Sequence, residues 1–176
     1  MGTYVDVLVL HTLSRELRAG WRVFMLSQAS GYAASALGYV ANCESKSVLV
    51  KDIAEATSIP APYLAKIVQI LSKRGLVRTQ RGIGGGVVLA RDSKDITLHD
   101  VCVALDDPAV LNRCMLGTAI CSDERACPCH NFWKINRGDF QDFLRKTTVA
   151  DMADFEKRAK ETGKGRTIWP AAQVAS

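Results

Sequence analysis

Between Val48 and Ala90 the chain carries a punctuation that few folds can accommodate. Val48 to Ser58 places Leu49, Ile53 and Ala54 on one face of a short helix, and Ser58, Ile59 and Pro60 then force a sharp turn. A second helix follows with Pro62 near its start, where the missing N–H costs little, and with Leu64, Ile67, Val68 and Leu71 as its buried stripe. Gly75 ends it. Next come a strand-like stretch, Leu76 to Thr79, a turn over Gln80 to Gly86 holding four glycines, and a second strand-like stretch, Val87 to Ala90. Two helices joined by a tight turn form a helix-turn-helix pattern, and the hairpin after it adds a basic-tipped wing. The fold class expected is mainly α with a small β-hairpin wing: a winged helix-turn-helix.

The flanks fit around this unit. Ala29, Ala33, Ala36, Leu37 and Val40 recur at helical spacing and predict an Ala-rich first helix over Leu26 to Ala41. Thr97 with Asp100 has the pattern of a capping box opening a further helix through Val101, Val103 and Ala104. The winged helix-turn-helix domain therefore spans 25–105. Residues 106–130, with Pro108, Gly117, Pro128 and four cysteines, read as an irregular functional loop. Trp133, Phe140, Phe143 and Leu144 then mark one long C-terminal dimerisation helix over 131–152, and 153–176 read as a tail that ends in disorder. Residues 1–24 show no link to the first helix and read as an N-terminal extension of uncertain status, with Met25 a candidate start.

Composition narrows the function classes. At 176 residues there is room for one domain and an appendage, and 48% apolar with 23% charged residues is the balance of a chain that packs a core. A net charge of +5 favours an anionic partner such as nucleic acid. The longest uncharged stretch, Val23 to Cys43, is broken by Ser, Gln, Gly and Tyr, and the start lacks a basic region, so neither a membrane span nor a secretory signal is expected. The expected location is cytoplasmic. There thiols stay reduced, so the six cysteines point to metal binding or redox sensing rather than structural disulfides. A catalytic base, a nucleotide loop or a substrate motif is not found: the glycine run is followed by a strand instead of the Gly-Lys-Ser/Thr of a phosphate loop, and His11 and His99 stand alone. An enzyme is not expected.

The cysteine spacing carries the chemistry. Cys114, six residues, Cys121, five residues, Cys127, then Cys129 and His130 place several soft ligands within reach of one centre. Buried structural thiols would follow an apolar stripe, whereas these sit among Asp123, Glu124, Arg125, Pro128 and Asn131. Zinc also takes three cysteines and a histidine, but its sites usually pair ligands in short knuckles that this loop lacks, so spacing favours an iron-sulfur cluster. Three cysteinates would fill three sites and either His130 or Cys129 the fourth. A bare thiol switch, with the same cysteines cycling between thiol and disulfide, stays open.

For the nucleic-acid surface, the first half of the second helix of the pair supplies Tyr63 for a phosphate and Lys66 for a phosphate or a guanine edge, while Ala65 offers only a methyl group. The wing adds Arg78 and Arg81, with Gly82 and Gly84 letting its backbone turn and approach a groove. The bland alternative for each cation is a solvated basic face. Tyr32, Trp133 and Phe143 read as core or interface residues.

The segments LSQASGYAASALGYVA, VKDIAEATSIPAPYLAKIVQILSKRGLVRTQRGIGGGVVLAR, ITLHDVCVAL and CPCHNFW together resemble the IscR/NsrR (Rrf-type) transcription regulators over about Met25 to Met152. The resemblance implies a homodimer with crossing C-terminal helices that binds a near-palindromic operator in double-stranded DNA. It implies a regulator, expected to be a repressor, that responds to iron-sulfur supply, iron, nitric oxide or redox state. Carried over position by position, Cys114, Cys121 and Cys127 are the cluster cysteines and His130 stands where IscR-like members place a histidine ligand, which favours [2Fe-2S] over [4Fe-4S]. NsrR-like members use an acidic residue before a tyrosine of the first helix, and here Gly31 precedes Tyr32. Cys129 is an additional thiol that could compete with His130 or act as a resolving cysteine. Pro62 and Ala65 replace polar and acidic side chains of the IscR-like recognition helix, so the operator does not transfer. The alternative to a cluster sensor is a cluster-free winged-helix regulator answering to thiol oxidation or a small ligand.

Overall fold

The computed structural model describes residues 26–162 except 44–45, 81, 83, 117–118 and 126. The N-terminal extension, 1–24, and the end of the tail lie outside the described residues. Eight elements set the architecture: α1 (Gln28–Asn42), α2 (Val50–Thr57), α3 (Ala61–Lys73), β1 (Val77–Gln80), β2 (Gly86–Leu89), α4 (Leu98–Ala104), α5 (His130–Lys146) and α6 (Val149–Thr162). No helix among the described residues is long and apolar enough to cross a membrane.

α1 starts where the Ser27 side chain accepts from the Ser30 N–H at 3.2 Å, which satisfies one of the unpaired donors of the first turn. From Tyr32 to Gly38 every residue is buried. A helix buried almost all round is central, and small residues allow it, because they let neighbours approach from several sides. Ala33, Leu37 and Val40 face the winged-helix core with Ile53, Leu64, Leu71, Val77, Val87 and Ile96. Ala34 faces a second cluster with Leu98, Cys102 and Leu144. At Gly38 a Cβ would stand 3.2 Å from Met152 Cβ, so α6 packs against the backbone of α1.

The helix-turn-helix is formed by α2 and α3. Ser58 takes the left-handed conformation at φ 56°, Ile59 is buried and its N–H bonds to the Ala54 carbonyl at 3.0 Å, and Pro60 caps α3. β1 and β2 pair antiparallel, with Val77 opposite Leu89 and Gln80 opposite Gly86. Val48 extends this wing as a third short edge, exchanging two backbone hydrogen bonds with Val87 at 2.8 and 3.1 Å. The stitch explains Gly86: its φ is +149°, and a Cβ there would lie 2.6 Å from both Ser47 Oγ and the Val48 carbonyl.

The capping box at Thr97 is present in full, with Thr97 Oγ1 accepting from the Asp100 N–H and Asp100 Oδ2 from the Thr97 N–H, both at 3.1 Å. The structure divides segment 131–152 into two helices. α5 stops at Lys146, because Thr147 is extended and Thr148 bridges back to Thr97; Leu98 N–H reaches the Thr147 carbonyl at 2.9 Å and Val149 N–H the Ile96 carbonyl at 2.8 Å. Thr148 and Asp151 then form a second reciprocal cap, with Thr148 N–H to Asp151 Oδ2 at 2.7 Å and Asp151 N–H to Thr148 Oγ1 at 3.2 Å. The same Thr-x-x-Asp pattern read at Thr97 signals this start. α6 accordingly carries helix through Thr162, well into the segment assigned to the tail.

A buried carboxylate fastens α1 to the loop after α4. Asp107, 1% exposed, accepts from Ser27 N–H and Ala109 N–H at 2.8 Å each. Burial alone would raise its pKa, but the Ser30 and Ser27 side chains and these two N–H groups stabilise the anion and hold the carboxyl below the usual carboxylate range. Next to it, burial and the Asp107 charge push the Cys102 thiol up to about 12. Cys102 is therefore an inert core thiol.

Gly86→Ala is expected to destabilise the fold by about 2 kcal/mol or more, because the methyl meets backbone, whereas Gly84→Ala, with open space around its Cβ, costs about 1 kcal/mol through its positive φ alone; urea unfolding midpoints of the two variants compare them. A depressed folded-state pKa makes the Asp107 contribution full at neutral pH and lost as the pH falls through the folded-state value, below about 4. Asp107→Ala thus lowers stability by about 3 kcal/mol at pH 7 and shows a shallower loss of stability toward acid than the parent in urea titrations.

Candidate functional site

The cysteine loop is held at several points. Arg113 and Ile120 form a β-bridge, Cys114 N–H bonds to the Ala119 carbonyl at 2.8 Å, and Cys121 N–H bonds to the Asn112 carbonyl at 3.3 Å. These bonds set 112–114 beside 119–121, so the two ends of the first cysteine interval lie next to each other. A 3-10 turn at Asp123–Arg125 follows, and the Cys127 carbonyl accepts from the His130 N–H at 2.8 Å as α5 begins. Trp133, one turn into α5 and buried, donates its indole N–H to the Arg113 carbonyl at 2.8 Å. The loop is thereby tied to α5 next to Cys114, itself buried at 8% exposure.

His130 is the meeting point of this loop. Its Nδ1 stands 3.4 Å from Cys121 Sγ, and its Nε2 stands 2.8 Å from Asp123 Oδ1. The same Oδ1 accepts from Lys134 Nζ at 2.7 Å, and Lys134 lies one turn after His130 on α5. The Lys134 ammonium and then the His130 N–H hold the Asp123 carboxyl below the usual carboxylate range. All six cysteines are free thiols. Of the residues expected to bind a cluster, the structure brings Cys121 and His130 together; Cys114 lies buried, and Cys127 and Cys129 flank the start of α5 half-buried. Among the described residues no group of three or more His, Cys, Asp or Glu is gathered as a metal would need. In donor chemistry the set fits a cluster: three thiols and an imidazole on one fastened loop, with the outer nitrogen of the imidazole already bonded to a carboxylate. Asp123 and Lys134 escaped the sequence reading because neither follows a ligand spacing; only their side-chain contacts reveal them.

In the helix-turn-helix, α3 buries Leu64, Ile67, Val68 and Leu71 and turns Tyr63, Ala65 and Lys66 to solvent. The Tyr63 ring meets the buried Tyr32 ring edge-on, with centroids 5.7 Å apart and planes at 78°, so α1 supports the first turn of α3. Gly82 and Gly84 take φ of +93° and +77° at the wing tip, while Arg81 lies outside the described residues. Arg78 projects from the outer face of β1, opposite Val88, into a cleft of about 450 Å³ that Lys46 and Arg91 also line. Lys66 on α3 and Arg78 on β1 both lie exposed.

Comparison with known proteins agrees with this architecture. A family model, Rrf2, described as an iron-dependent transcriptional regulator, matches residues 26–154. An HTH-type transcriptional regulator of Aquifex aeolicus is 35% identical over 136 residues, covering 76% of this chain and 94% of that protein. The HTH-type transcriptional regulator IscR of Escherichia coli is 30% identical over 143 residues, covering 81% and 88%. Among solved structures, CymR, the global cysteine regulator of B. subtilis, superposes with a TM-score of 0.63 at 24% identity over 73% of this chain and 95% of that one. IscR of T. potens superposes with a TM-score of 0.59 at 26% identity over 80% and 91%. The relatives are transcription regulators and not enzymes. With the family model covering the winged helix, the cysteine loop and the C-terminal helices together, this chain belongs to the Rrf2 family of DNA-binding, winged-helix transcription regulators.

Proposed function

We propose that the protein is a homodimeric repressor of a near-palindromic operator that reports iron-sulfur supply, iron, nitric oxide or redox state through a [2Fe-2S] cluster on Cys114, Cys121, Cys127 and His130. The approach of Cys121 Sγ to His130 Nδ1 at 3.4 Å, within a loop that holds three further thiols, carries this reading. Three thiolates and one imidazole match what two irons need beyond their bridging sulfides. When bound, such a cluster supplies a centre whose charge and integrity respond to electrons, oxygen and nitric oxide.

The chain's own residues then pass the state of the loop to DNA. Trp133 fastens the loop to α5, α5 packs on α4 through Leu144 and Leu98, and α4 touches α3. Homodimerisation is supported by the outer face of α5, where Phe132, Ile135 and Phe143 stand 54%, 64% and 55% exposed along one stripe. A dimer must meet two half-sites about 34 Å apart at once, so a small change in how the α5 helices sit is enough to weaken binding. A cluster-free thiol sensor is the second reading, and the Cys121–His130 contact also favours it, because an imidazole at that range accepts the proton of a thiol that is to be oxidised.

Anaerobically isolated protein is expected to be brown, with sulfur-to-iron absorption bands, two irons and two sulfides per chain, and Cys121→Ala is expected to lose all three. A colourless parent after reconstitution, carrying zinc or no metal, overturns the cluster and leaves the thiol reading. For DNA, Lys66→Ala is expected to weaken binding to an operator selected from random duplexes. A phosphate contact in each protomer lowers the salt slope by about 2 in a dimer, whereas a base-edge contact relaxes sequence preference by about 1–3 kcal/mol. Unchanged binding in fluorescence anisotropy would remove this face of α3 from the interface.

A further inference from the structure

We infer that Asp123, clamped by Lys134, is the positioning residue that fixes the His130 imidazole with its hydrogen on Nε2 and its Nδ1 lone pair toward Cys121, so that Nδ1 is the atom offered to a ligand in the loop. The geometry leaves little choice. Asp123 Oδ1 stands 2.8 Å from Nε2, and an ionised carboxylate only accepts, so that nitrogen carries the hydrogen. In the neutral ring the other nitrogen is then the one with the lone pair, and it faces Sγ at 3.4 Å. Lys134 Nζ, 2.7 Å from the same oxygen, donates to it and fixes where it sits.

The chain path points the same way. Asp123 opens the 3-10 turn between Cys121 and Cys127, while His130 and Lys134 share one face of α5. The two contacts therefore tie the 3-10 turn of the second cysteine interval to α5. Without them the ring could rotate and the interval could open, since the Asp123 side chain is 74% exposed and these two contacts are what hold it. Carboxylates that hold the outer nitrogen of a ligating histidine set both its tautomer and its orientation. Naming Nδ1 as the cluster ligand rests on the cluster reading under Proposed function; the role of Asp123 toward the ring does not.

The test begins with cluster-free full-length protein labelled with ¹⁵N-histidine, read by two-bond nitrogen–proton correlation at about pH 8, where a free imidazole is neutral. His130 in the parent is expected to show a single tautomer with hydrogen on Nε2. Asp123→Asn, whose amide oxygen still accepts, is expected to keep it, and Asp123→Ala to give the averaged signals of a free ring. Because Asp123 is exposed, both variants should retain the parent's circular dichroism and melting midpoint. In reconstituted protein, Asp123→Ala is expected to release iron to a chelator about tenfold faster than the parent, with Asp123→Asn between them. Hydrogen on Nδ1 in the parent, or a His130 spectrum unchanged in Asp123→Ala, overturns the inference. Expected spectra in a protein that takes up no iron and sulfide would uphold Asp123 as the residue that positions His130 and overturn the cluster reading instead.

Discussion

Everything in the described structure hangs on the close packing around α1. Ala33, Ala34, Ala36 and Gly38 leave room on every side of that helix, so that the winged helix closes on one side and α6 lies against its backbone on another. Interiors are packed at near-crystalline density, and a helix that touches neighbours all round transmits displacement rather than absorbing it. One helix therefore belongs to both hydrophobic clusters, and the DNA-facing and loop-bearing parts of the chain are one mechanical unit.

Polar contacts set where that unit can bend. Asp107 holds the start of α1 to the segment leaving α4, and the two Thr-x-x-Asp caps at Thr97 and Thr148 sit side by side, joined by a backbone bridge. These are satisfied, short-range interactions, each worth about 1 kcal/mol or somewhat more, and they stop helices at defined points. The cysteine loop between them is different. Its described residues are held by backbone bonds, the Trp133 indole and the Asp123 contacts to His130 and Lys134, with few buried apolar groups among them, which is the composition of a segment that can rearrange without unfolding the domain.

Family and signal rest on different parts of the molecule. Likeness over the length from the first helix to α6 places the chain among the Rrf2 regulators. The sensing proposed above rests instead on a handful of side chains within the loop, because one fold can host unrelated functions. Cys121, His130 and Asp123 therefore bear on the proposed cluster, while the winged helix does not.

The helix-turn-helix, the wing and the Thr97 cap were legible in the residues, since periodicity, Pro60, Pro62, the glycines and a capping pattern are local rules that act within a few residues. The loop's thiols and imidazole were legible as well, as a spacing. Tertiary structure alone decided the rest. The spacing of Ala29, Ala33, Ala36, Leu37 and Val40 marks one apolar face of α1, but the helix is buried almost all round, because what covers its second face, α6, lies over a hundred residues away. The helix drawn through 131–152 divides at Thr147 because Thr148 pairs with Thr97, a contact that no window along the chain contains. Asp123 and Lys134 became partners of His130 only when a 3-10 turn and a helix start were folded onto each other. Local rules fix which elements form; which side chains meet is set by long-range packing, and the site is made of such meetings.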